Sequence, residues 1–134
     1  MKTVVITGAN TGIGFATAKT FLEQGHQVIL ACRNLKKAEA AKQQLEQSQS
    51  TQGQVDIIQL DLESLEQVAS AADQLIQRYP KIDILVNNAG LMTPNLEHTP
   101  DGFEKQIGVN YIGHFLWTIK LLPIIKQSGA GRII

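Results

Sequence analysis

Alternating strand-like and helix-like segments predict an α/β protein: a doubly wound parallel sheet with helices on both faces. Three observations carry the prediction. Val4-Val5-Ile6 runs straight into a turn with glycines at 8, 12 and 14, and an apolar helical pattern follows at once. Strand and helix patterns then alternate to Ile134 without repeats, low-complexity tracts or linkers. The unbroken apolar run Val28-Ile29-Leu30-Ala31 suits a strand covered on both faces.

Lys2–Thr7 reads as the first strand. Thr11–Gln24 reads as the first helix, with Ile13, Ala16, Ala18 and Phe21 available to pack and Gly25 ending it. Gln27–Ala31 is the second strand, and Asn34 can cap a helix running to about Gln47, with Leu35, Ala38, Ala41 and Leu45 near helical spacing. The polar stretch Gln47–Gln54 reads as a loop. Val55–Leu60 forms the third strand. Ser64-Leu-Glu-Gln67 is a capping box for a third helix, whose Val68, Ala72, Leu75, Ile76 and Tyr79 share a face. Ile82–Val86 is the fourth strand. Thr99-Pro100 resembles the start of a fourth helix reaching Gln127, with a kink expected before Pro123. Gly129 and Gly131 break it, and Arg132–Ile134 begins a fifth strand.

A chain of 134 residues suits a single domain and can bury a sizeable core. Twelve basic and twelve acidic residues cancel, which gives no footprint for nucleic acid or an anionic membrane surface. No apolar run approaches membrane-spanning length, and Lys2 leads directly into a strand rather than a signal-peptide pattern. Cys32 is alone and sits in an apolar strand pattern, so it reads as a buried structural thiol. These features together suggest a cytoplasmic protein.

Right-handed crossovers place such strands in the order 3-2-1-4, with the incipient fifth beyond the fourth. Ligands bind such sheets at the strand C-terminal ends, where the order reverses. The glycine turn lies there, and its chemistry needs no side chain. Unpaired N–H groups at a helix start, at the positive end of the helix dipole, can hold a pyrophosphate. The spacing Gly8-x-x-x-Gly12-x-Gly14 differs from G-x-G-x-x-G, and no Lys-Ser/Thr follows it as in a Walker loop. The other unusual residues also follow strands. Arg33 stands where an NAD-binding protein usually places an acid, and Ala31-Cys32-Arg33-Asn34 contains no carboxylate. A guanidinium there can bind a 2′-phosphate, and Lys37 can add a second positive charge. Asp61-Leu62 follows the third strand, where Asp61 is either an adenine contact or a plain turn residue. Asn87-Asn88-Ala89-Gly90 follows the fourth strand at the switch point.

With Thr7–Gly14 and Asn87–Gly90 both in place, the chain resembles the short-chain dehydrogenase/reductase family over essentially all its residues. Asp101-Gly-Phe103 and Gly108-Val-Asn110-Tyr-Ile-Gly-His-Phe115 are most similar to its retinol-dehydrogenase-like branch. Light-dependent protochlorophyllide reductases are similar too, though the intact Asn87-Asn88-Ala89-Gly90 argues against them. The resemblance implies a Rossmann-type fold and hydride transfer between an alcohol and a carbonyl. It also implies that Asn110 kinks its helix and serves the proton relay. Position and resemblance together give a cofactor-binding set. It comprises Thr7, Gly8, Asn10, Thr11, Gly12, Ile13 and Gly14, then Arg33 and Lys37, then Asp61 and Leu62, and finally Asn88, Ala89 and Gly90. NADP(H) is favoured over NAD(H). The resemblance assigns no chemistry to His114, and His26 and His98 show no metal-ligand spacing.

The family's chemistry also needs a Ser and a Tyr-x-x-x-Lys pair. Here Tyr79 is followed four residues on by Asp83, and Tyr111 by Phe115. Of the catalytic set, only Asn110 is present. Residues 1–134 are therefore expected to be an incomplete dinucleotide-binding domain, inactive alone, from an NADP-dependent oxidoreductase acting on a small-molecule alcohol or carbonyl. The alternative is a stand-alone nucleotide-binding or interaction module. An extended-type nucleotide-sugar epimerase is a weaker third reading, because that group spaces its first glycines differently. Val109, Ile112, Phe115, Leu116, Ile119 and Leu122 exceed the needs of one apolar stripe. Helix 101–127 is thus the expected face for self-association.

Overall fold

The computed structural model describes residues 1–48 and 50–134; one position of the expected 47–54 loop, Gln49, lies outside the described residues. Five parallel strands form one sheet in the order β3-β2-β1-β4-β5. β1 (Thr3–Thr7) lies between β2 (Gln27–Cys32) and β4 (Ile84–Val86). β3 (Gln54–Gln59) pairs with the outer side of β2, and β5 (Arg132–Ile133) with the outer side of β4.

Side chains of a strand alternate between faces, so each central strand feeds two cores. Val4, Ile6, Val28 and Leu30 meet Ala18 and Leu22 of α1 (Gly12–Glu23) and Ala38 and Leu45 of α2 (Leu35–Glu46). Val5, Ile29 and Leu85 point the other way, onto Val68, Ala72 and Leu75 of α3 (Leu65–Arg78) and Trp117 and Leu121 of α5 (His114–Lys126). This is the doubly wound Rossmann-type arrangement that the alternation predicts.

The helix faces differ from expectation in instructive places. In α1 the packed residues are Gly14, Ala18 and Leu22, while Ile13 and Ala16 are exposed. Leu35 and Ile76 also lie outside the packed stripes of α2 and α3, whereas Ala71 joins α3's stripe. Asn34 caps as expected, its Oδ1 accepting from Lys37 N at 3.0 Å, but the capping box is half formed: Ser64 Oγ accepts from Gln67 N at 3.3 Å, while Ser64 N donates to Asp61 O at 3.3 Å rather than to the Gln67 side chain.

The helix expected from Thr99-Pro100 through Gln127 begins later and is not uniform. Thr99 to Phe103 is a tight turn: Thr99 N donates to Phe103 O at 2.8 Å, Gly102 N donates to Thr99 O at 2.9 Å, and Gly102 has φ +86°. Pro-Asp-Gly is turn chemistry, and here it prevails over the apparent Thr-Pro cap. Glu104 is the true cap, its carboxylate accepting from Gln106 N and Ile107 N. Those bonds hold the carboxyl below the usual range. A single turn, α4 (Lys105–Ile107), leads into a π-helical segment, Gly108–Gly113, and then α5. The helix continues through Pro123 to Lys126. The break in α-helical geometry falls at Asn110, not before the proline. One side of this helix stays outside the core: Tyr111, Phe115 and Ile119, four apart, are 68%, 59% and 49% exposed.

Asp83 fastens the sheet below β4. Its carboxylate accepts from Thr3 N at 2.8 Å, Ser128 Oγ at 2.6 Å and Lys81 Nζ at 3.1 Å. Burial alone would raise its pKa, but these three donors together bring it below the ordinary carboxylate value. A lowered native pKa means stabilisation that is present above the unfolded value and is lost as the pH falls through the native one. Asp83→Asn is expected to cost about 1–3 kcal/mol at neutral pH. It should also flatten the acid limb of stability measured by urea unfolding across pH. An unchanged acid limb would show that Asp83 carries none of it.

Candidate functional site

The C-terminal ends of β1 to β4 border one continuous cleft. Gly8, Asn10, Ala89 and Gly90 form its centre and line both halves. One half runs across the sheet past Arg33, Asp61, Leu62 and Glu63. The other runs past Thr11, Gly12 and Ile13 at the start of α1.

The first βα turn is shaped by close backbone packing. Gly8 has φ +65°, and a Cβ there would lie 2.9 Å from Ala89 Cα. A Cβ on Gly14 would lie 2.5 Å from Gly8 O and 2.6 Å from Asn88 Nδ2. Only hydrogen fits at either position. The start of α1 is also open where its neighbours are closed. Asn34 and Ser64 cap α2 and α3 with side-chain hydrogen bonds, but among the described residues the N-cap Thr11 makes none, and the first turn carries no acid. The leading N–H groups of α1 thus face the cleft unclaimed by a side chain, as an anion cradle requires. Ile13, 80% exposed, forms the apolar wall beside them.

The floor hangs on Thr7. Its hydroxyl accepts from Asn88 N and Ala89 N, both at 2.9 Å, and lies 2.9 Å from His114 Nε2. Asn88 Nδ2 reaches back to Thr7 O at 3.0 Å and Gly8 O at 3.4 Å. Asn88 therefore ties β4 to β1 from both its backbone and its side chain. Asn87 looks the other way, with Nδ2 on Thr118 Oγ1 at 3.0 Å; its buried Oδ1 has no partner among the described residues.

On the far rim Arg33 leaves β2 with its side chain 65% exposed and one amino group 3.8 Å from Glu63. Glu63 is held more tightly by Lys105, at 2.9 Å, and this contact raises the lysine's pKa. An exposed pair at 3.8 Å is worth little, so Arg33 is not committed to Glu63. No carboxylate follows β2 directly, as the sequence shows. Asp61 lines the cleft while its Oδ1 accepts from Glu63 N at 2.9 Å, so it fills the turn role and the wall role together. Lys37, one turn into α2, is exposed and is not among the lining residues.

Asn110 sits in the π-helical segment. Its Oδ1 accepts from Leu91 N and its Nδ2 donates to Leu91 O, both at 2.8 Å. The side chain thereby pins the loop after Gly90. Its carbonyl faces His114 Nδ1 at 3.3 Å.

Thr7, Gly8, Asn10, Thr11, Gly12, Ile13, Gly14, Arg33, Asp61, Leu62, Asn88, Ala89 and Gly90 thus converge on or directly beneath one cleft. Asn110 stands at its end, and Lys37 lies outside it. Sequence reasoning missed Glu63, Cys32 and the place of His114. Glu63 had a usable signal, being two residues past Asp61 and beyond a strand end. Cys32 lines the cleft wall as part of the buried strand, where burial pushes its thiol pKa up.

The short chain dehydrogenase family profile matches residues 2–134. The chain belongs to that family. Mouse retinol dehydrogenase 14 is 44% identical over 142 residues, covering 99% of this chain and 42% of that protein. Human retinol dehydrogenase 13 is 45% identical over 133 residues, covering 99% and 40%. These relatives place it with the retinol-dehydrogenase-like branch, and it spans about two fifths of their length. Among solved structures, the alcohol dehydrogenase of Thermococcus sibiricus complexed with 5-hydroxy-NADP superposes with a TM-score of 0.83. It is 30% identical and the match covers 99% of this chain and 56% of that one. A Sphingobium yanoikuyae short-chain dehydrogenase in complex with NADPH gives 0.82 at 30% identity, covering 99% and 52%. Among the described residues, no helix is long and apolar enough to cross a membrane, and no cluster of metal-ligating side chains occurs.

Proposed function

We propose that this chain forms the NADP(H)-binding part of a short-chain oxidoreductase that interconverts an alcohol and a carbonyl. The observation that carries the coenzyme preference is Arg33, uncommitted on the cleft rim at a strand end that offers no carboxylate. The open start of α1 would hold the pyrophosphate, with Thr11, Gly12 and Ile13 around it. Asp61 and Leu62 would flank the adenine, and Asn88, Ala89 and Gly90 would support the nicotinamide end. When bound, the nicotinamide supplies or accepts the hydride. The chain's own residues hold the coenzyme and, through Asn110, order the loop beside it. Tyr79 and Tyr111 lack the lysine partner, so residues 1–134 would bind coenzyme without turning it over. The Tyr111, Phe115 and Ile119 stripe is the face through which copies would associate.

Calorimetric titration with NADPH and NADH tests the preference. Arg33→Ala removes a charge-assisted bond worth about 1.5–3 kcal/mol and should weaken NADPH about ten- to hundredfold. NADH affinity should stay within about twofold, because NADH has no 2′-phosphate for Arg33 to hold. Equal losses for both nucleotides would overturn the assignment.

A further inference from the structure

His114 is 6% exposed and is neither solvated nor packed among apolar groups alone. Its hydrogen bonds can be assigned by counting. A threonine hydroxyl offers two lone pairs and one proton. Asn88 N–H and Ala89 N–H occupy the two lone pairs of Thr7 Oγ1. The remaining proton has His114 Nε2 as its partner at 2.9 Å, so Nε2 must accept. A neutral imidazole that accepts at Nε2 carries its proton on Nδ1, and that nitrogen faces the Asn110 carbonyl at 3.3 Å. The carbonyl is placed there by the π-helical turn, in which the α-helical bonding pattern is interrupted.

We propose that His114, as the neutral Nδ1–H tautomer, is a positioning residue. It turns the Thr7 hydroxyl so that both lone pairs hold Asn88 and Ala89, and it ties that floor to the Asn110 peptide. The coenzyme floor and the Asn110 segment then keep their places together. This goes beyond the proposed function and rests on it only where coenzyme is the readout. An imidazolium breaks the arrangement, because its Nε2–H meets an oxygen whose lone pairs are both in use. The burial that lowers the His114 pKa keeps the neutral form at physiological pH. The cleft on the other side of the ring is lined by Asn87, Asn110, Tyr111, Phe115 and Thr118, of which only Tyr111 is titratable and none carries a carboxylate or an amine. His114 itself is therefore the group whose titration this site would report.

The test has two arms. Nitrogen-15 NMR of residues 1–134 should show His114 with Nδ1 protonated and Nε2 unprotonated at pH 7, with a titration midpoint below that of free histidine. An Nε2–H tautomer or an imidazolium at pH 7 overturns the proposal, whatever the chain binds. In the second arm, NADPH affinity of the wild type should fall on acidification through that midpoint, over a range where circular dichroism shows the fold intact. His114→Gln keeps an acceptor for Thr7 but cannot titrate, so its affinity, within about threefold of wild type at pH 7, should fall less on acidification, leaving only the fall that protonation of the NADPH 2′-phosphate causes. A Gln variant with the wild-type profile, or a wild type with a flat one, also overturns it. No NADPH binding at any pH would sink the coenzyme reading instead, and the tautomer arm would still decide the role of His114.

Discussion

Gly14→Ala is expected to abolish coenzyme binding and to lower the melting temperature by about 4–12 °C. The added methyl would sit 2.5 Å from the Gly8 carbonyl oxygen and 2.6 Å from Asn88 Nδ2. The first of these is backbone in the turn itself, and the second is the side chain that ties β4 to β1. Neither can yield without moving the loop, and overpacking of this kind costs about 1–3 kcal/mol, each about 4 °C in a domain of this size. Because α1 must back away from the turn, its leading N–H groups shift from the cleft that Gly8 and Asn10 share with them. Thermal unfolding and NADPH titration of the same sample measure both effects. A melting point within 2 °C of wild type, with unchanged affinity, would show that the close approach is not needed.

The second large effect lies in the opposite core layer. Trp117 is fully buried between the sheet and α3, and Trp117→Ala should cost about 3–5 kcal/mol, a large part of the stability of a small domain. Trp117→Phe should cost far less, under about 2 kcal/mol, for a reason beyond size. The indole N–H is buried without an acceptor among the described residues, and an unpaired buried donor carries a penalty of about 1–3 kcal/mol that phenylalanine does not. Urea unfolding of both variants checks this pair. An alanine cost below about 1 kcal/mol would mean that α5 contributes little to the core. A phenylalanine cost above about 2 kcal/mol would mean that the N–H has a partner after all.

The strands were legible in the sequence because burial on both faces writes them as unbroken apolar runs, and Val28 to Ala31 is the plainest case. The residues at their C-terminal ends were legible because the topology sends every strand end to one edge. What was not legible came from competition between local signals. Thr99-Pro100 looks like a helix start, yet Asp101-Gly102 makes it a turn, and the deciding cap is a glutamate five residues beyond Thr99. Ile13 looks like a core residue by spacing, yet it faces the cleft because Gly14, the residue without a side chain, is what packs. The place of His114 was hidden for another reason. Its partner Thr7 lies 107 residues away, and nothing local in a helix announces a hydrogen bond across the sheet.

The wide turn at Gly108–Gly113 has a consequence for what this helix can tolerate. Val109, Gly113, Trp117, Leu121 and Ile125 are all buried at steps of four, and each such step in an α-helix overshoots a full revolution by about 40°. A π-helical turn holds more residues per revolution, so it winds back part of that drift before α5 begins. The segment works as a phase corrector between two parts of one helix. Trimming a single residue to regularise it would rotate everything downstream by about 100°, carrying His114 away from Thr7 and Trp117 away from the sheet. The most regular version of this helix would be the one that no longer fits the protein.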